Sequence, residues 1–332
     1  MTTLCLSVGI VGAGKIAVDS HVPVLRAMSE VRIAWIADRD AGRANAVAKA
    51  NRLLAVAIDS DRLELPACDV VMLAIPLPPR EQYFALLQRG ETAVFAEKPL
   101  ANTAEGHRRL LSEFEHWRLS VGYQRRQYAT SRFLKRAIKK QLFGALRTIR
   151  ISEGGRTTRS YDGGPYQDEG VANGGGITKN LGCHTLDLAF WLTGARRFSV
   201  IERRIEWDGS TDRRASARIS LGEVDGSPGY ECAVDWTVSW LDNQSNTIEL
   251  EFEHALLRCS VQAGTSIDLL SRSGDIICRI DARETGGAST ISQACYLDWR
   301  AVLTGAATRT ENEISGRSAL AAAELIDELL RS

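Results

Sequence analysis

The apolar run Leu4–Val11 ends on Gly12-Ala13-Gly14-Lys15-Ile16-Ala17 and continues into a helical pattern. A buried strand that breaks on glycines and resumes as a helix admits few folds, because the tight turn sends the helix back along the strand it has just left. The same alternation repeats through the first third of the chain. Strands are expected at Leu4–Val11, Val31–Asp38, Asp69–Pro76, Thr92–Ala96 and Leu119–Tyr123, with amphipathic helices such as Arg80–Arg89 and Thr103–Trp117 between them. Repeated strand–helix–strand order implies parallel strands joined by right-handed crossovers, hence a doubly wound sheet.

The glycine turn has the form G-x-G-x-x-[GA]. Gly12 permits the tight turn, Gly14 lets backbone approach a pyrophosphate, and Ala17 is small enough for the helix to pack on the sheet. Lys15 and Ile16 open the helix, whose N-terminus favours an anion. The second strand ends on Asp38, where a carboxylate can accept hydrogen bonds from ribose hydroxyls. The pattern therefore points to NAD. Arg39 can stack on adenine or pair with a 2′-phosphate, which keeps NADP open. A tight turn without a ligand, with Asp38 as a helix cap, is the structural alternative.

The middle of the chain changes character. Tyr128–Phe143 reads as a helix stopped by Gly144, 156–176 as a long glycine-rich loop, and Thr178–Leu192 as a helix ending at Gly194. From Arg197 the period is two. Cys232, Val234, Trp236, Val238 and Trp240 share one face, against Glu231, Asp235, Thr237 and Ser239 on the other. Half-buried antiparallel strands alternate in this way. The apolar face is expected to be core or subunit interface. Helices Ile291–Leu303 and Ser318–Leu330 close the chain. Two domains follow, 1–123 doubly wound and 124–332 an open, mainly antiparallel α+β sheet flanked by helices.

Composition excludes several functions. Lys+Arg and Asp+Glu are both 41 in 332 residues, so no basic excess marks a nucleic-acid binder. The seven cysteines are scattered without a C-x-x-C pair, which argues for free thiols in a reducing, cytoplasmic setting and against a zinc site. No apolar run is long enough to span a membrane, and the N-terminus lacks the marks of a signal peptide.

Seven motifs in order make the sequence similar to the Gfo/Idh/MocA family of NAD(P)-dependent oxidoreductases. They are Gly12–Ala17; His21-Val22-Pro23; Asp38; Ala74-Ile75-Pro76; Glu97-Lys98-Pro99; Gly122-Tyr123-Gln124-Arg125-Arg126; and Gly174-Gly175-Gly176 followed by Asn180-Leu181-Gly182-Cys183-His184-Thr185-Leu186-Asp187. The resemblance covers nearly the whole chain. It implies a Rossmann domain followed by an open sheet through which members oligomerise, here as a dimer or tetramer. It also implies hydride transfer between nicotinamide and a ring carbon of a sugar, amino sugar, sugar nucleotide or cyclitol. By resemblance Lys98 and His184 are catalytic, and Ile75, Pro76, Glu97 and Lys98 lie on the cofactor side. The chain departs from the family twice. The loop after the Asp69–Pro76 strand usually continues with Asn and then His, but here reads Ile75-Pro76-Leu77-Pro78-Pro79-Arg80, and the acid four residues before His184 is Asn180.

The chemistry suits these residues. Alcohol oxidation needs a base for the hydroxyl proton, and carbonyl reduction needs an acid; a histidine serves either. A lysine ammonium polarises a carbonyl or stabilises an alkoxide. Asp187, one turn after His184, orients the imidazole or is a buried structural acid. Arg126 binds substrate oxygens or forms an interdomain salt bridge. Tyr161 and its loop offer hydroxyl and carboxylate partners to a polyol, or are simply solvated. Two other functions share this fold, a non-enzymatic NAD(P)-binding regulator and an NAD-dependent glycoside hydrolase.

Overall fold

The computed structural model describes residues 5–58, 63–156 and 175–331. The chain forms two units. One runs up to Gly122 and takes in Cys295–Ala319; the other runs from Tyr123 to Ala294 and resumes at Leu320.

The first unit holds six parallel strands: β1 (Leu6–Val11), β2 (Val31–Asp38), β3 (Leu54–Ala57), β4 (Val70–Leu73), β5 (Ala93–Glu97) and β6 (Leu119–Gly122). Their order is β3-β2-β1-β4-β5-β6, all neighbours parallel, so the winding reverses between β1 and β4. That is the order of a dinucleotide-binding doubly wound sheet. The crossovers carry α1 (Val22–Ala27), α2 (Ala41–Asn51), α3 (Leu77–Leu87) and α4 (Ala104–Glu113). Asp40 caps α2 by accepting from the Arg43 N–H at 3.0 Å, and Thr103 caps α4 by accepting from the Gly106 N–H at 3.1 Å. All four residues of β4 are buried, as a strand covered on both faces requires. β3 adds to the strands expected from sequence. It is a four-residue edge with no buried residue, too short and too weakly patterned to stand out.

The second unit carries α5 (Ala129–Lys139), β7 (Leu146–Gly154), α6 (Cys183–Thr193), β8 (Arg197–Asp208), β9 (Thr211–Gly222), β10 (Glu231–Ser239), β11 (Thr247–Phe252), β12 (Leu256–Ser260), β13 (Ser266–Leu270) and β14 (Ile276–Asp281). The sheet order is β14-β13-β12-β11-β7-β10-β9-β8; every pairing is antiparallel except β7 with β10. Two helices follow, α7 (Ile291–Thr308) and α8 (Leu320–Leu330). From Cys295 onward α7 packs in the first unit, where Trp299, Val302 and Leu303 join a core with Val8, Ile10 and Phe95.

Of the two roles expected for the alternating face on β10, core or subunit interface, the structure shows core. Cys232, Val234, Trp236 and Val238 are buried within the chain itself. The Trp236 indole donates to Thr185 Oγ1 on α6 at 2.8 Å, and a Cβ at Gly182 would come within 2.7 Å of the Trp236 ring. The apolar face is therefore covered by the chain's own helix, while the opposite face is polar. There Arg150 on β7 pairs across strands with Glu249 at 3.1 Å and Glu251 at 2.6 Å. Among the described residues, no helix is long and apolar enough to cross a membrane.

Candidate active site

The glycine turn is shaped by its neighbours. Gly12 has φ of +101°, and a Cβ there would lie 2.4 Å from the Ala74 carbonyl oxygen and 2.8 Å from Ile75 Cγ2. Only glycine both adopts this φ and lies against the end of β4. The next amide, Ala13 N–H, donates to Asp38 Oδ2 at 2.8 Å, and the Asp40 N–H donates to Asp38 Oδ1 at 2.9 Å. Asp38 is thus pinned, buried, at the end of β2 and directly beside the turn. Each of its oxygens keeps further acceptor capacity. Arg43 Nη1 stands 3.8 Å from Oδ2, a cation that sequence reading did not single out; Arg39 is exposed. Lys15 and Ile16 are exposed at the helix start, with Lys15 paired to Asp19.

The strand ends β4 and β5 meet through a residue the sequence offered only as a helix start. Arg80, 4% exposed, donates from Nε to the Ile75 carbonyl at 2.7 Å, and from Nη1 to the carbonyls of Pro99, at 2.6 Å, and Glu97. Half-buried Lys98 lies between those last two residues, and its peptide bond to Pro99 is cis. Pro76 is the N-cap of α3.

Glu97 is held from the other side. Its Oε1 lies 3.0 Å from His21 Nε2, while the Trp299 indole N–H donates to His21 Nδ1 at 3.1 Å. An indole nitrogen is only a donor, so Nδ1 is the acceptor and the imidazole proton sits on Nε2, aimed at the carboxylate. Phe95 and Trp299 both meet the His21 ring edge to face, and Cys295 Sγ lies 3.6 Å from Nδ1. Burial pushes the Glu97 carboxyl up, but the His21 hydrogen bond and the charges of Lys98 and Arg80 outweigh it and hold the group below its usual range. His21 ends a π-helical turn, Ala17–His21, which precedes α1. Such turns often mark functional segments.

In the second unit His184 is buried on the first turn of α6, edge to face with Tyr123 at 6.0 Å. The Arg126 guanidinium lies over the same Tyr123 ring and forks onto Asp187, Nε to Oδ2 at 2.8 Å and Nη2 to Oδ1. Both oxygens of Asp187 thus accept from Arg126, and the pair lies within one unit instead of bridging two. Burial pushes the Asp187 carboxyl up, against the pull of Arg126 and Lys135. Asn180 lies in a second π-helical turn, Thr178–Gly182, with its N–H donating to the Gly176 carbonyl at 3.0 Å. Buried Asp212 anchors that turn by accepting from the Thr178 N–H at 2.8 Å. A second buried fork, Arg125 to Glu153 with both bonds at 2.7 Å, was not foreseen either. Tyr161 lies outside the described residues. Among the described residues, no group of three or more His, Cys, Asp or Glu is placed to hold a metal ion.

These motifs recur in known proteins. The Gfo/Idh/MocA model, an oxidoreductase family with an NAD-binding Rossmann fold, matches residues 6–123. Over those residues the chain resembles the Gfo/Idh/MocA oxidoreductases. It is 28% identical over 227 residues to the rhizopine catabolism protein MocA of Rhizobium meliloti, covering 67% of this chain and 68% of that one. It is 30% identical over 196 residues to an inositol 2-dehydrogenase of Ralstonia nicotianae, covering 58% of this chain but only 55% of the relative. The WlbA dehydrogenase of Bordetella pertussis, solved with NADH and UDP-GlcNAcA, superposes with a TM-score of 0.81 over 100% of this chain and 96% of that one. At 20% identity that likeness is one of fold. For a Gfo/Idh/MocA Rossmann unit the NAD-binding turn fits its ligand in one testable respect. A Cβ at Gly14 would meet nothing within 4 Å, so the outer side of the turn is open to a dinucleotide while its inner side, at Gly12, is closed.

Proposed function

We propose that this chain moves hydride between NAD and a ring carbon, CH–OH or C=O, of a sugar, amino sugar, sugar nucleotide or cyclitol, with NADP as the second choice of cofactor. The observation that carries the reading is the Glu97-Lys98-Pro99 turn at the carboxyl end of β5, in a sheet whose winding reverses between β1 and β4. Open α/β sheets take their ligands beyond the carboxyl ends of strands at such a reversal. A bound nicotinamide dinucleotide supplies the carbon that accepts or gives the hydride. Gly12, Ala13, Gly14, Lys15 and Ile16 would hold the pyrophosphate at the turn and helix start, and Asp38 would accept from a ribose hydroxyl. Ile75, Pro76 and Glu97 would border the nicotinamide end. The Lys98 ammonium polarises the substrate oxygen or stabilises the alkoxide. His184 takes the hydroxyl proton in oxidation and returns it in reduction. Asn180 orients a substrate hydroxyl by hydrogen bonding where relatives carry an acid.

The second unit would bind substrate and assemble the chain into a dimer or tetramer through its polar sheet face. Thermal-shift screening with NAD, NADP and a panel of polyols, amino sugars and sugar nucleotides tests the function, because ligands that bind the native state raise its melting temperature. Stabilisation by NAD is expected, enhanced by a member of the panel; no response to either dinucleotide overturns the reading. Light scattering that returns a monomer at micromolar concentration overturns the assembly.

A further inference from the structure

Arg80 is a buried cation that donates to backbone carbonyls of two different segments. Ile75 lies in the loop after β4; Glu97 and Pro99 flank Lys98 at the end of β5. A guanidinium is planar and presents its donors in a fixed fork, so bonding both segments sets their separation and tilt. A lysine ammonium is a point charge on a flexible stem and cannot impose that geometry. The fork occupies a place with little freedom of its own. Leu77, Pro78 and Pro79 open α3, prolines fit the first helical turn without loss of a hydrogen bond, and Arg80 follows, 4% exposed.

We propose that Arg80 is a positioning residue that sets the spacing between the Ile75-Pro76 loop and the Glu97-Lys98-Pro99 turn, and with it the nicotinamide end of the cofactor site. The proposal rests on the cofactor reading above. Its consequence is selective. Asp38 bonds the amides of Ala13 and Asp40, whereas Arg80 bonds the carbonyls of Ile75, Glu97 and Pro99, so losing the fork should weaken the nicotinamide end more than the adenine–pyrophosphate end.

The test compares NAD with ADP-ribose, which lacks the nicotinamide. Dissociation constants for both are measured by calorimetry on the full chain, for wild type, Arg80→Lys and Arg80→Gln, with circular dichroism and melting curves as fold checks. In the variants NAD should bind roughly tenfold more weakly, while ADP-ribose stays within about twofold of wild type. Arg80→Lys should recover less than half of the lost NAD affinity, because charge without the fork does not restore geometry. If both variants lose NAD and ADP-ribose in proportion, or lose neither, the positioning role is overturned. Failure of both variants to fold also overturns it, since Arg80 is then a structural residue. A wild type that binds neither ligand overturns the cofactor reading itself, a result distinct from the others.

Discussion

Trp299→Phe tests the hydrogen-bonded chain that ends at Glu97. The substitution keeps an aromatic ring against Phe95 but removes the indole N–H that donates to His21 Nδ1 at 3.1 Å. Trp299 is 0% exposed and His21 3%, so no water replaces the lost donor without cost. A buried acceptor left unsatisfied costs ~1–3 kcal/mol. The smaller ring removes roughly 40 Å³, and at ~24 cal/mol per Å³ the cavity adds about 1 kcal/mol. The first unit should therefore lose ~2–4 kcal/mol. Native-state hydrogen exchange on peptides covering Ala93–Glu97 reads that unit separately from the second. His21→Leu supplies the other arm of a double-mutant cycle. Once the imidazole is gone, Trp299→Phe should cost only its cavity, about 1 kcal/mol. The cycle should then show coupling of ~1–3 kcal/mol. Additivity within ~0.5 kcal/mol would mean that the indole–imidazole bond contributes nothing. Nitrogen-15 spectra of labelled histidine provide the direct check, and a His21 proton found on Nδ1 would refute the tautomer argument.

The Glu97 carboxyl, held below its usual range, stabilises the fold at neutral pH and loses that contribution as the pH falls below the ordinary glutamate value of ~4.3. The melting-temperature gap between wild type and Glu97→Gln should therefore be full at pH 7 and close in acid; a gap that widens in acid reverses the sign and the argument. Lys98→Ala and His184→Ala should each cost ~10²-fold or more in kcat while retaining cofactor, and normal turnover in both would remove the catalytic assignment. Asn180→Asp, which restores the family's carboxylate, should move the pH profile of turnover; an unmoved profile makes Asn180 structural. Asp38→Ala should weaken NAD and relatively favour NADP, as Arg43 loses one of its two carboxylate neighbours, and wild type binding NADP ten times tighter than NAD would contradict this. Arg126→Ala, which leaves the buried Asp187 carboxyl without its partner, should cost ~3–5 kcal/mol, whereas Arg126→Met with Asp187→Leu should cost less than the single change; the reverse order in chemical denaturation would show the fork to be net stabilising.

The legible parts of this molecule are those whose chemistry is local. A phosphate-binding turn needs glycines at fixed offsets between a strand and a helix, so Gly12–Ala17 and the parallel order around it could be read from spacing alone. Asp38 was legible for the same reason, because strand and turn place it by geometry. What could not be read are the contacts that cross the sequence. Trp299 meets His21 across 278 residues, and Arg80 reaches Pro99 across 19. Neither contact has a period or a motif. Arg80 looked like the opening of an amphipathic helix because side chain-to-backbone bonds leave no trace in hydrophobic patterning. The alternating face of β10 was legible only in part. A period of two separates an apolar face from a polar one, but it is silent on what covers the apolar face, and here α6 covers it with Thr185 on the Trp236 indole. The two departures from the family loop and from the usual acid belong together in this light. Both fall beside proposed catalytic residues, Arg80 against the Lys98 turn and Asn180 within the turn before His184. The groups that would carry the chemistry are retained, while those that hold or charge them have changed. Positioning groups tune a reaction that the reacting groups define, so changes at such places would alter substrate or direction before they alter the proposed hydride step.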